Sequence, residues 1–141
     1  MMTLGTAHIT STAKPDAFFA RWADMATWPE WNSDTEWVRI DGPFVRGAKG
    51  VLKPKGAPQV PFVVTELVPG EKFTDVSKLV GARLTFRHVV TRTAEGSTRV
   101  DVTATLRGPL ARIWNLALGK GIAAGLQGDL DRLRDAAESA A

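Results

Sequence analysis

The chain has no cysteine, no tyrosine and only two histidines among its 141 residues. Without cysteine there can be no disulfide bridge, thiolate nucleophile or cysteine-ligated metal. Two histidines make a zinc centre a poor expectation, and neither a metal nor another cofactor is expected. Without tyrosine there is no phenol to donate a hydrogen bond to a developing enolate. Long apolar runs are missing too. No stretch approaches the ~20 residues that span a bilayer, and the opening MMTLGTAHITST lacks the basic-then-apolar layout of a secretory signal. A cytoplasmic protein without membrane insertion is the expectation. Like charges also fail to cluster along the chain. Its 18 basic and 15 acidic side chains leave a net charge of +3 and are dispersed, so nucleic acid is not an expected partner.

What the chain does have is an ordinary globular composition, 44% hydrophobic and 23% charged. At this length a single domain over 1–141 is expected, large enough to bury a core. It also holds five tryptophans. Three lie in TWPEWNSDTEW, Thr27 to Trp37, and Trp22 stands just upstream. Bulky indoles among proline, asparagine and aspartate suggest a plug or the wall of a pocket.

Alternation predicts a first strand over Leu4–Thr12. Lys14-Pro15-Asp16 then reads as a helix start, because proline suits the first helical position and an acid complements the helix dipole. Phe18, Phe19 and Trp22 follow at helical spacing, which predicts a short helix over Pro15–Ala23 and a second over Ala26–Trp31. Six strands separated by turn residues come next: Trp37–Ile40, Ala48–Lys53, Phe62–Val68, Lys72–Leu79, Leu84–Thr93 and Thr98–Leu106. This spacing indicates an antiparallel meander. GPFVRGAKG matches no phosphate-binding loop, joins two strands and reads as a hairpin turn.

Turn chemistry predicts two registers. Gly81-Ala82 as a glycine-first two-residue loop sets Leu79 opposite Leu84 and Asp75 opposite His88. A three-residue loop at Ala94-Glu95-Gly96 sets Val90 opposite Val100, His88 opposite Val102 and Leu84 opposite Leu106. Both give one apolar face (Leu84, Phe86, His88, Val90, Val100, Val102, Ala104, Leu106) and one wet face bearing Arg83, Arg87, Arg99 and Asp101.

From Leu110 to about Ala137 an apolar stripe recurs every three or four residues: Leu110, Trp114, Leu118, Ile122, Leu126, Leu130, Leu133 and Ala137. A helix of that length reaches about 42 Å and is the only element able to cover a seven-stranded sheet. Gly119, Gly121, Gly125 and Gly128 interrupt it. Each costs about 1 kcal/mol relative to alanine. They suggest close approach to the sheet, a bend that gates a cavity, or room for a ligand. A curved sheet around a long helix leaves a gap at its open end, which the tryptophan-bearing helices would close.

In KPDAFFARWADMATWPEWN, IDGPFVRGAKGVLKPKG, FVVTELVPGEKFTD, LTFRHVVTRTAEGSTRVDVTATLRGPL and the closing helix, the chain resembles the START-like, helix-grip superfamily (SRPBCC). It is most similar to the polyketide cyclase/dehydrase-type branch. The resemblance implies an α+β fold: a curved seven-stranded antiparallel sheet around a long C-terminal helix, with two short helices between strands 1 and 2. It also implies a mostly apolar cavity for a lipid, polyketide or other hydrophobic molecule. Members include cyclases, hydrolase-like enzymes and non-catalytic binders.

Candidate cavity residues are Trp28, Trp31, Phe62, Val64, Phe73, Leu84, Phe86, Val102, Trp114, Leu118 and Ile122. Each is also open to plain core packing, and a ring of aromatics is more often core than ligand box. His88 and Asp75, placed opposite one another, form either a catalytic acid–base pair or a satisfied core histidine. Glu66 shares parity with Phe62 and Val64 but lies at the rim. Two functions follow: binding of a small hydrophobic ligand between sheet and helix, or a cyclase/dehydratase-like reaction using His88 and Asp75. A free sheet edge leaves monomer and homodimer both open.

Overall fold

Period-two patterning and glycine-marked turns build one antiparallel sheet in the order β1-β7-β6-β5-β4-β3-β2. The structure is a computed structural model and describes residues 1–139, so the last two residues of the expected domain lie outside it. The strands are β1 (Met2–Ser11), β2 (Thr35–Asp41), β3 (Lys49–Pro54), β4 (Val60–Val68), β5 (Lys72–Leu79), β6 (Ala82–Arg92) and β7 (Thr98–Arg107). Between β1 and β2 stand helix α1 (Pro15–Ala23), a 3-10 turn (Met25–Thr27) and helix α2 (Trp28–Trp31). Pro15 opens α1 with Asp16 in the first turn, as the cap chemistry predicts. Residues 111–139 form one helical run: α3 (Ala111–Trp114), a π-helical turn (Asn115–Gly119) and α4 (Lys120–Ser139).

The β6–β7 register is as expected, with His88 opposite Val102 and Leu84 opposite Leu106. The β5–β6 register is not. Leu79 pairs Ala82, Ser77 pairs Leu84, and Phe73 pairs His88. The loop is Val80-Gly81 instead of Gly81-Ala82. Gly81 has φ +68°, and left-handed backbone at the second loop residue is where a type II turn needs glycine. The slip is two residues, so every side chain keeps its face. Asp75, however, is opposite Phe86 and not His88. A second irregularity moves Glu66. The ladder shifts between Val64 and Glu66, which sets Glu66 beside Thr74 on the outer face. There Lys72, Thr74 and Arg87 hold its carboxyl down to about 2.

The C-terminal helix covers the concave face near β1 and is fastened there. Gln127 donates to the His8 carbonyl at 3.0 Å, Arg132 to the Trp31 carbonyl at 3.2 Å, and Arg21 to the Ala136 carbonyl at 3.1 Å. Ser11 donates to Glu138 at 2.6 Å. Close approach to the sheet comes from Gly5 of β1. A Cβ there would lie 3.1 Å from the Leu126 side chain and 3.4 Å from Ala123 Cα. Of the four helix glycines, Gly119 is a packing position, where a Cβ would sit 2.2 Å from the Asn115 side-chain oxygen and 3.8 Å from Leu4 of β1; at Gly121, Gly125 and Gly128 a Cβ would meet no strand atom within 4 Å. Gly50 has a separate role. A Cβ on it would sit 2.2 Å from the Arg39 carbonyl oxygen and 2.5 Å from the Phe62 ring.

Candidate ligand-binding site

The apolar stripe of the C-terminal helix divides along its length. Leu126, Leu130, Leu133 and Ala137 are buried, whereas Trp114, Leu118 and Ile122 are only half-buried. The buried half packs with α1, α2 and the far part of the sheet in one large cluster. A smaller cluster forms around Ala82, Leu84, Leu106 and Ala111. Between the two lies a cavity of about 340 Å³, within the size range of small-molecule sites.

Its walls come from both sides. Leu52, Val60, Ser77, Leu79, Leu84 and Phe86 face it from the sheet, and Ala117, Leu118, Gly121, Ile122, Gly125 and Leu126 from the helix. Asn32, Asp34, Thr35, Lys55 and Asp129 stand at one side. This polar side is organised: the Ser33 amide and hydroxyl both donate to Asp129, at 3.2 and 3.1 Å, and Arg132 donates to the same carboxylate. Such a site suits a ligand with an apolar body and one polar end. Gly121 and Gly125 serve as wall. A Cβ at Gly121 would meet nothing within 4 Å, and one at Gly125 only Asp34 and Asp129, at 3.7 and 3.8 Å.

Four of the eleven expected cavity residues, Leu84, Phe86, Leu118 and Ile122, line this space. Trp28, Trp31, Phe62, Val64, Phe73 and Val102 are buried in the large cluster instead. Trp114 belongs to the small one, its indole N–H donating to the Val80 carbonyl at 2.8 Å. The indoles crowd together because the aromatic residues pack on one another. Trp22 meets Phe19 edge-on at 5.0 Å, Trp28 lies 5.5 Å from Trp31, and Phe44 lies 5.1 Å from Phe73. They fill the end of the sheet beyond the cavity, and it is Asn32 and Asp34, immediately after Trp31, that reach the cavity. Two indole nitrogens, of Trp22 and Trp31, are buried without a hydrogen-bond partner among the described residues.

His88 and Asp75 do not form the expected pair. They sit diagonally on neighbouring strands, and no hydrogen bond or ion pair joins them. The His88 ring stacks on Phe73 at 4.8 Å and lies 5.0 Å from Trp22. Its Nδ1 is 2.9 Å from the Phe73 carbonyl oxygen; that partner only accepts, so Nδ1 carries the proton. Burial lowers the imidazole to about 4, against the raising effect of this hydrogen bond. Asp75 is 7% exposed, and its carboxyl has no partner among the described residues. Burial alone pushes it up to about 7. Neither residue lines the cavity, although Asp75 is opposite Phe86 and two residues from Ser77, both of which do.

Comparison with known proteins decides the family. Residues 2–138 match the family described as polyketide cyclase / dehydrase and lipid transport. The chain belongs to that family. Solved structures share the chain's fold. Hypothetical protein jhp0584 from Helicobacter pylori superposes with a TM-score of 0.74 at 11% identity, over 92% of this chain and 84% of that one. TTHA0849 from Thermus thermophilus gives 0.73 at 14% identity, over 97% and 98%. DynU16, from the dynemicin biosynthetic locus, gives 0.69 at 15% identity, over 96% of this chain and 47% of that chain. No curated protein sequence matches the chain. Family and fold together support a ligand-binding or cyclase role. Among the described residues no helix is long and apolar enough to cross a membrane.

Proposed function

We propose that the protein binds a small hydrophobic molecule with one polar end in the cavity between sheet and C-terminal helix. The observation that carries this reading is the cavity itself. About 340 Å³ interrupts the core between two packed clusters, with aliphatic and phenyl walls and a polar side at Asn32, Asp34 and Lys55. Leaving such walls without a partner forfeits dispersion contacts that packing would supply. Two helix glycines extend the space where alanine would strengthen the helix. A lipid, polyketide or aromatic molecule fits the description. Gentle-ionisation mass spectrometry of freshly purified protein is the test. An apolar adduct that is lost in Gly125→Leu supports the reading, and an adduct retained by that variant places the ligand elsewhere.

A second reading, a cyclase- or dehydratase-like reaction, draws on Asp75. A buried carboxyl that holds its proton near neutrality suits proton transfer to an enolisable substrate. It needs the ligand to reach past Phe86. His88 is neutral at physiological pH and tied to the Phe73 carbonyl through Nδ1, so in this reading it supports through its aromatic contacts. Asp75→Asn separates the two readings. Turnover would vanish with ligand affinity held if the carboxyl is catalytic, and unchanged turnover would end the reading.

A further inference from the structure

One end of the molecule carries aliphatic side chains with little packed over them. Val80, in the β5–β6 turn, is 77% exposed, Ile113 62% and Leu116 88%, with Leu110 beside them at 36%. They share one surface, because the turn is tied to the start of the helix. The Leu110 amide donates to the Gly81 carbonyl at 2.9 Å, and Trp114 bonds the Val80 carbonyl.

The same end is strongly cationic. On the outer face Lys78 lies directly opposite Arg83, and Arg83 directly opposite Arg107, a row of like charge three strands wide. Directly opposed like charges destabilise a sheet. Arg112 and Lys120 add to the row's field from the helix. No aspartate or glutamate occurs between residues 76 and 94 or between 102 and 128. Among the described residues none of these five cations pairs with a carboxylate. The even dispersal of charge along the chain therefore hides a one-sided surface in the fold.

We propose that this end docks peripherally on an anionic lipid bilayer. The aliphatic side chains enter the boundary between headgroups and acyl chains, and the cation row lies against lipid phosphates. Projecting side chains as exposed as Val80 and Leu116 suit a fluid apolar phase, whereas a protein partner would have to offer a pocket for each. A second copy of the chain would set one cation row against another. Leu79 and Leu118, next to Val80 and near Leu116, line the cavity, so docking would present the cavity to the acyl region. The docking does not depend on whether the cavity holds a ligand.

The test is co-sedimentation with vesicles of pure phosphatidylcholine and of equimolar phosphatidylcholine and phosphatidylglycerol. Binding to the anionic vesicles alone, weakening with salt, is expected. The triple variant Lys78→Gln/Arg83→Gln/Arg107→Gln should lose about fivefold per cation removed, on the order of a hundredfold together. Leu116→Glu should lose at least about tenfold with its circular dichroism unchanged, since the residue is exposed. In the wild type, lipids brominated near the headgroup should quench part of the tryptophan emission, and that quenching should vanish in Trp114→Phe, which leaves the other four tryptophans in place. Equal affinity for both vesicles, or for neither, overturns the proposal. So does full competition by inorganic phosphate, which would indicate a discrete anion site. A dimer abolished by Leu116→Glu, or vesicle binding lost to an added acidic protein, would assign the surface to a protein partner and overturn it equally.

Discussion

Replacing Asp75 by asparagine removes a charge that the fold buries without compensation. The carboxyl goes from an ordinary 3.8 to about 7 on folding. Each pH unit of that difference is worth about 1.4 kcal/mol. A raised carboxyl means the native state holds a proton the unfolded chain has already released, so stability falls as pH rises from about 4 to about 7. Above pH 7 the full cost is in place, about 4 kcal/mol. His88 has the opposite sign. Lowered from 6.5 to about 4, it lets the unfolded chain bind a proton that the native state refuses, so its contribution rises with pH through that window. Between pH 4 and 6.5 the two groups offset each other in the wild type. In Asp75→Asn only His88 remains, and stability should climb across that range. The gain of variant over wild type should be small near pH 4 and about 4 kcal/mol at pH 8, roughly 10 °C in Tm for a chain of this size. Urea denaturation of both proteins across this range measures it. A gain that does not change with pH, or a variant less stable than wild type at pH 8, would refute the buried, unpartnered carboxylate.

Trp31→Ala should cost about 3–5 kcal/mol in denaturant unfolding, the range for emptying a large aromatic site, because Trp31 is 6% exposed within the aromatic cluster. Ligand affinity of the folded variant should change by less than about threefold, since the indole is not cavity wall; a larger loss would return Trp31 to the site. Gly121→Ala should raise stability by about 0.5–1 kcal/mol, because its Cβ meets open space and alanine favours helix. A destabilised variant would mean that the segment does not hold this helix.

Most of the fold was legible because it follows from local rules. Pro15 and Asp16 mark the start of α1, Gly96 closes the β6–β7 turn with φ +83°, and alternation sorts β6 and β7 into two faces. The β5–β6 register was missed by two residues, because VGAR admits two loops that share one glycine. Gly81 is the left-handed residue in either loop, so its chemistry alone does not choose between them; in the loop formed, Leu110, from far along the chain, packs over Gly81. Glu66 moved faces through a bulge that leaves no mark in the sequence. The candidate site was legible only in part. Leu84, Phe86, Leu118 and Ile122 follow from parity and helical phase, and the same parity from Phe73 reaches Ser77 and Leu79. The tryptophans misled because a large apolar side chain reads alike as core or as cavity wall; which it becomes depends on whether Phe73, Phe44 and His88 fill the neighbouring space.

The space between the two core clusters should take an apolar molecule. A fluorescent naphthalene probe titrated into wild type and Gly125→Leu reads that occupancy. The wild type should bind one equivalent with a blue-shifted emission. The filled variant, at least as stable by thermal unfolding, should lose at least about tenfold in affinity as leucine occupies the space. Equal affinity in the two proteins would mean that the probe does not enter this space.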